Sequence, residues 1–207
     1  QGTGAVYKGK KCGSMGDIAC TSFFPSKPLG CYGDGGAVLT DNDEIAGLIR
    51  SFKVHGKGSS KYDNVRVGIN SRLDTIQAAV LLAKLDILEE EMERRQVIAK
   101  RYDAAFCDVL QIPFVASDCK SAYAQYVLLA DSSEKRNKII ETMKTAGIPS
   151  LLYYPKEMHR MDAFGIGRNE DYDNTSKYAQ CNFGVPFSPY LTEEEQSLVI
   201  QVIKSAV

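Results

Sequence analysis

Between Ile18 and Thr40 the chain is restricted to a few backbone paths. Two apolar, strand-forming runs, 18–24 and 36–40, enclose a segment holding Pro25, Pro28, Gly30, Gly33, Gly35 and Gly36. Proline fixes φ and removes a donor, while glycine admits close backbone approach, so the segment predicts a tight excursion between two strands. The first run ends in Ser22, the proline turn presents the amine of Lys27, and the glycines clear space beside it. A primary amine so placed can form a Schiff base with an aldehyde once burial or neighbouring positive charge releases its proton. The same residues also admit a plain surface lysine in a Pro–Gly turn. Ser22 either donates to an anion or satisfies its own backbone at the strand end. Ser26 is either a substrate contact or an ordinary turn residue. The G-x-G-G pattern at 33–36 precedes a strand and is not a dinucleotide fingerprint.

With 207 residues, 44% of them hydrophobic and 25% charged, the chain is long enough to bury a core as one large or two small domains. A formal net charge of -1 argues against general nucleic-acid binding, which needs a basic excess. No apolar run approaches the ~20 residues of a membrane span, so no membrane partner is expected. The cysteines, Cys12, Cys20, Cys31, Cys107, Cys119 and Cys181, form no C-x-x-C pair. Free thiols in a reducing cytoplasm are the simpler expectation, and no metal site is expected. No Walker, H-E-x-x-H or G-x-S-x-G motif occurs.

Residues 4–8 predict a further short strand. Asp41, with Glu44 three residues on, predicts a capped helix carrying Ile45, Leu48, Ile49 and Phe52 at helical spacing and ending by Gly56. Residues 56–68 read as a polar loop, with Tyr62 and Val65 as its candidate anchors. A second helix opens near Ser71, with Asp74 as capping acid and an apolar stripe of Leu73, Ile76, Val80, Ala83 and Ile87. It continues to about Ala105, with a break near Asp86. Glu90/Arg94 and Glu91/Arg95 are i,i+4 pairs worth about 0.2–0.5 kcal/mol each, a solvated face rather than a site. Beyond Phe106 the pattern predicts a strand at 123–130, a helix at 134–146 stopped by Gly147 and Pro149, a strand at 150–154, and a last helix capped by Thr192 with Glu195.

The run Ser22-Phe23-Phe24-Pro25-Ser26-Lys27-Pro28-Leu29-Gly30 through Gly33-Asp34-Gly35-Gly36 resembles the pyridoxal-phosphate lysine segment of the DegT/DnrJ/EryC/StrS sugar aminotransferases, roughly S-F-F-x-x-K-x-L-x-x-G-[ED]-G-G. The resemblance implies that Lys27 carries pyridoxal 5'-phosphate as a Schiff base and then shuttles a proton as general base. Sugar dehydratases of the same class hold His at this position, so Lys27 points to transamination. Ser22 is implied as a phosphate ligand. Gly68 to Ala79 resembles G-x-N-x-R-[LM]-x-x-[IL]-Q-A-A. There Asn70 is implied to reach the partner's cofactor phosphate across a homodimer whose active site is shared, and Arg72 to lie near substrate. By themselves these two residues read equally as a helix cap and a surface arginine at an anion-favouring helix start. Lys53-Val54-His55-Gly56 is similar to R-x-H-G, and His55 is otherwise a polar helix-end histidine. Tyr153-Tyr154-Pro155 with His159 to Phe164 resembles Y-Y-P-x-P-L-H-x-Q-x-A-F, with Glu157, Met158 and Met161 as departures. Tyr153, Tyr154 and His159 are thus candidate substrate contacts, or a tyrosine strand packed under the last helix.

Gln1 matches the last residue of the family's E-D-x-A-Q motif, which lies against the cofactor ring. The opening Gln1-Gly2-Thr3-Gly4 reads as a chain cut in mid-domain, so the resemblance covers the C-terminal half of a family member. The expected fold class is α/β, fold type I, with 1–105 as the C-terminal part of the large cofactor-binding domain and 106–207 as the small α+β domain. The implied reaction moves an amino group from an amino acid, glutamate by family habit, to a UDP-sugar bearing a ketone. The nearest-looking subgroup is the UDP-2-acetamido-2-deoxy-3-oxo-glucuronate aminotransferases of O-antigen synthesis. The motif's acid that would hold the pyridine nitrogen precedes Gln1, so the chain alone is expected to bind cofactor weakly or not at all. A non-catalytic regulatory or oligomerisation module and a nucleotide-sugar binding module are the alternatives.

Overall fold

The computed structural model describes residues 1–164 and 172–207. The chain divides into two compact units, residues 1–92 with 115–124, and residues 93–114 with 125–207.

The first unit is built from short antiparallel pairs. Strands β1 (Val6–Tyr7) and β2 (Lys10–Lys11) form a hairpin. Strands β3 (Ala19–Ser22) and β4 (Gly36–Leu39) pair in register from Ala19↔Leu39 to Ser22↔Gly36. Helix α1 (Asp43–Phe52) is capped by Asn42, whose side chain accepts from the Ile45 N–H at 3.0 Å. The expected cap, Asp41, lies one residue outside, because both adjacent residues are good caps and the helix takes the later one. Helix α2 (Thr75–Leu85) starts four residues later than expected, after Asp74. The expected break falls at residues 86–87, and helix α3 (Leu88–Phe106) follows. Strand β5 (Cys119–Lys120) joins β1, giving the order β2-β1-β5. Leu29, Cys31 and Leu81 form a buried cluster, with Phe23 and Leu88 against it.

The 56–68 loop is held differently from expectation. Tyr62 is 86% exposed and Val65 is also exposed. The loop is instead tied by Arg66, which donates to Ser51 Oγ at 2.7 Å, and by that hydroxyl donating to the Lys57 carbonyl at 2.6 Å. Buried polar groups must find partners, and here they fasten the loop.

In the second unit β6 (Tyr126–Leu129), helix α4 (Ser133–Thr145), helix α5 (Asp173–Cys181), strand β7 (Asn182–Val185) and helix α6 (Glu193–Lys204) surround an aromatic core. Strands β6 and β7 pair antiparallel. Tyr102, Phe106, Tyr126 and Phe183 are fully buried. The Tyr102 ring lies 5.7 Å from Phe106 and 5.1 Å from Tyr126, within the range of favourable aromatic pairs. The Tyr102 hydroxyl donates to the Pro186 carbonyl at 2.9 Å, and burial pushes its pKa well up, so it remains a neutral donor. The capping box of α6 forms as expected between Thr192 and Glu195. The strand expected at 150–154 reduces to one bridge, Leu151↔Gly184, whereas β7 and α5 were not anticipated.

Candidate active site

Lys27 sits where the sequence places it, on the excursion between β3 and β4. Its backbone N–H donates to the Phe24 carbonyl at 2.8 Å and closes the turn. The return limb is held by Phe23, whose carbonyl accepts from the Cys31 N–H at 2.8 Å and from the Cys31 thiol at 3.1 Å. Gly30 is required at its position: a Cβ there lands 2.6 Å from the Pro25 carbonyl oxygen and 2.7 Å from that of Phe24. The Lys27 side chain is half-buried, and its amine has no hydrogen-bond or ion-pair partner among the described residues. Ser26 beside it is exposed.

Ser22 ends β3. Its hydroxyl oxygen accepts from the Phe24 N–H at 3.2 Å, which satisfies local backbone and leaves its own proton to donate. The glycine cluster brings the 70–73 segment toward this strand end. Ser22 pairs with Gly36, and a Cβ on Gly35 lands 2.9 Å from Leu73 Cδ1 and 3.3 Å from Phe23 Cβ. Asn70 and Arg72 lie next to Leu73, both exposed, with Arg72 Nε donating to Asn70 Oδ1 at 3.1 Å. His55, exposed and at φ 59°, donates its backbone N–H to Ile69. Gln1 is exposed at the start of the chain. A cavity of about 810 Å³ in this unit is lined by Cys20, Thr21, Val38, Arg50, Lys53 and Ser71, and Lys27 is not among its lining residues.

Tyr153, Tyr154 and His159 belong to the second unit. Tyr153 and Tyr154 are joined by a cis peptide bond, with their rings edge-on at 6.0 Å. Both are fixed by Asn182, which sequence reasoning missed: its Oδ1 accepts from the Tyr153 N–H at 2.7 Å, and its Nδ2 donates to the Tyr154 and Tyr178 carbonyls. No sequence signal pointed to it, since the helix it follows, α5, was itself not anticipated. His159 packs edge-on against Tyr172 at 4.9 Å. Tyr153, Tyr154, Met158, Met161 and Tyr178 line a cavity of about 370 Å³.

Glu157, a departure from the family pattern, also lines this cavity. Its carboxylate accepts from Ser176 Oγ at 2.8 Å and lies 3.8 Å from Arg160 Nε. Its own backbone N–H, Ser176 and Arg160 hold its pKa below the ordinary carboxylate range, against the opposing effect of burial. The ionised form is therefore favoured by folding. Its stabilising effect is complete above the ordinary value of about 4.3 and disappears as pH falls through the lowered folded value. Protection of the amides at residues 153–160, measured against intrinsic exchange at each pH, is expected to fall below about pH 4, and Glu157→Gln is expected to remove that loss. Unchanged acid sensitivity in the variant would show that another group controls it.

The fold recurs in solved structures. A DegT DnrJ EryC1 StrS aminotransferase from Brucella abortus superposes with a TM-score of 0.92 at 43% identity, covering 98% of this chain and 54% of that one. DesV of S. venezuelae, solved in complex with a ketimine intermediate, gives 0.90 at 30% identity over 98% of this chain and 55% of that one. The fold class is therefore α/β, fold type I, as expected. The model of the DegT/DnrJ/EryC1/StrS aminotransferase family matches residues 1–204, and the chain belongs to that family. Among curated relatives, the UDP-2-acetamido-2-deoxy-3-oxo-D-glucuronate aminotransferase of Pseudomonas aeruginosa is 43% identical over 192 residues, 92% of this chain and 52% of that protein. The chain thus spans about half the length of the curated relatives it matches.

Proposed function

We propose that this chain supplies the lysine-bearing half of a pyridoxal-phosphate-dependent aminotransferase that aminates a ketone on a UDP-linked sugar, with an amino acid such as glutamate as donor. The observation that carries this reading is the amine of Lys27, offered on a braced turn without any carboxylate partner among the described residues. A carboxylate partner favours the ammonium form, which has no lone pair to attack a carbonyl, so the lack of one fits an aldehyde-bearing group. Ser22 fits its phosphate, having a hydroxyl proton left to donate. When bound, pyridoxal phosphate supplies the electron sink that labilises the donor's Cα–H bond. Within this chain, Lys27 holds the cofactor and then moves a proton between the donor carbon and the cofactor's C4′. Ser22 and Gln1 line the cofactor, Asn70 meets the phosphate held by a second subunit, and Ser26, Arg72, Tyr153, Tyr154 and His159 contact substrate.

A homodimer with a shared site is part of the proposal. The exposed Val65, Val67 and Ile69 beside Asn70 support it, since Val67 is 93% exposed and such a run favours burial against a partner. The division proposed is a large-domain part at about 1–105 and a small domain at about 106–207. The identity to the Pseudomonas aeruginosa enzyme supports a 3-oxo-glucuronate substrate and a place in O-antigen sugar synthesis. Cysteines that are all unpaired support a cytoplasmic setting, and no described helix is long and apolar enough to cross a membrane.

The test is chemical. The native polypeptide containing this chain is incubated with pyridoxal phosphate, reduced with borohydride and digested. A pyridoxyl group on the peptide bearing Lys27 is expected. Labelling spread over exposed lysines, with Lys27 unmodified, would defeat the proposal.

A further inference from the structure

Helix α2 grips the loop that carries Lys27. Its residues Gln77, Leu81 and Lys84 follow 4 and 3 residues apart, and Leu88 at the start of α3 continues the stripe, so one face looks toward residues 29–32. Leu81 is buried against Leu29 and Cys31. On one side of it Gln77 Oε1 accepts the Tyr32 N–H at 2.7 Å. On the other, Lys84 Nζ donates to the Gly30 carbonyl at 2.7 Å across 54 residues of sequence. Lys84 is half-buried and has no carboxylate partner among the described residues, so its charge is directed at a backbone carbonyl, a stronger bond than a neutral donor makes. Gly30 in turn abuts the Pro25 and Phe24 carbonyls, the start of the turn that presents Lys27.

We propose that Gln77 and Lys84 are positioning residues for Lys27: they fix the return limb of its loop at two points, so that its amine meets an aldehyde already in place. This rests on Lys27 being the cofactor-bearing residue. Two bonds straddling an apolar contact remove the rocking that either alone permits, and small displacements of a reacting group are costly.

The experiment uses the native polypeptide and pyridoxal phosphate, with release of bound cofactor followed by absorbance and folding by thermal melting of the cofactor-free protein. Lys84→Met and Gln77→Leu are expected to speed release about tenfold while melting stays cooperative. Lys84→Arg keeps a charged donor and Gln77→Glu keeps the acceptor, and each is expected to return release to within about twofold of the parent. Parent-like release from Lys84→Met and Gln77→Leu overturns the proposal, as does a failure of Lys84→Arg to restore retention. Should Lys84→Met not fold, the Gln77 pair decides by the same criteria. An unmutated protein giving no pyridoxyl-Lys27 after borohydride defeats the underlying reading instead, so the two failures are distinct.

Discussion

Replacing Lys27 by alanine is expected to lower turnover of the native polypeptide by about 10⁴-fold while leaving its stability within about 0.5 kcal/mol of the parent. The two halves of that expectation come from the same observation. The Lys27 amine has no partner among the described residues, so its loss breaks no hydrogen bond or ion pair and leaves the Phe24 to Lys27 backbone turn intact. In the proposed function, however, the same amine is both the attachment point and the base, and a proton transfer without its positioned base loses about 10² to 10⁴ in rate. Removing the side chain opens room where the amine stood, so a small primary amine added to the assay is expected to restore part of the rate. Turnover by Lys27→Ala within tenfold of the parent, or a folding defect that accounts for the loss, would show that the turn serves the fold and not the chemistry.

The lysine loop was legible because it is punctuated by residues with strong backbone preferences. Pro25, Pro28 and the glycines up to Gly36 leave few ways to connect two strands, and β3, the turn and β4 follow them. The capping box at Thr192 and Glu195 was legible for a similar reason, being a local exchange between side chain and backbone three residues apart. Strand β7 was not. It has four residues, including Asn182 and Gly184, and it is buried throughout, so it shows neither alternation nor a long apolar run. Its identity as a strand comes from β6 on one side and Leu151 on the other, both remote in sequence. Lys84 was missed on the same grounds. A lysine on a helix reads as solvated unless the loop it meets, 54 residues earlier, is already in view. The Tyr62 and Val65 side chains are exposed, and Val65 ties the loop only through its N–H, which donates to the Gly56 carbonyl at 3.0 Å; polar contacts such as this and that of Arg66 with Ser51 are not revealed by apolar patterning.

Asn182→Ala is expected to cost about 2–4 kcal/mol. The residue is 2% exposed and serves three backbone groups at once. Truncation strands the Tyr153 N–H and the Tyr154 carbonyl, whereas the Tyr178 carbonyl keeps the Asn182 backbone N–H as a donor. Each buried group so stranded costs about 1–3 kcal/mol, and access of water to the exposed Tyr154 keeps the total below the sum. A packing defect alone predicts otherwise: Asn182→Asp preserves the volume, yet it loses both donated bonds and places a carboxylate against two carbonyl oxygens, so it is expected to be no better tolerated than alanine. Denaturant titration reads the result as a lower midpoint with an unchanged slope. Because Asn182 also fixes the backbone on both sides of the Tyr153–Tyr154 bond, the proposed function predicts a raised KM for its sugar substrate with a smaller change in kcat in the surviving folded protein, the pattern of a lost binding contact. A midpoint shift worth less than about 0.5 kcal/mol would mean that water replaces the amide without strain, and that the tyrosine pair is held from elsewhere.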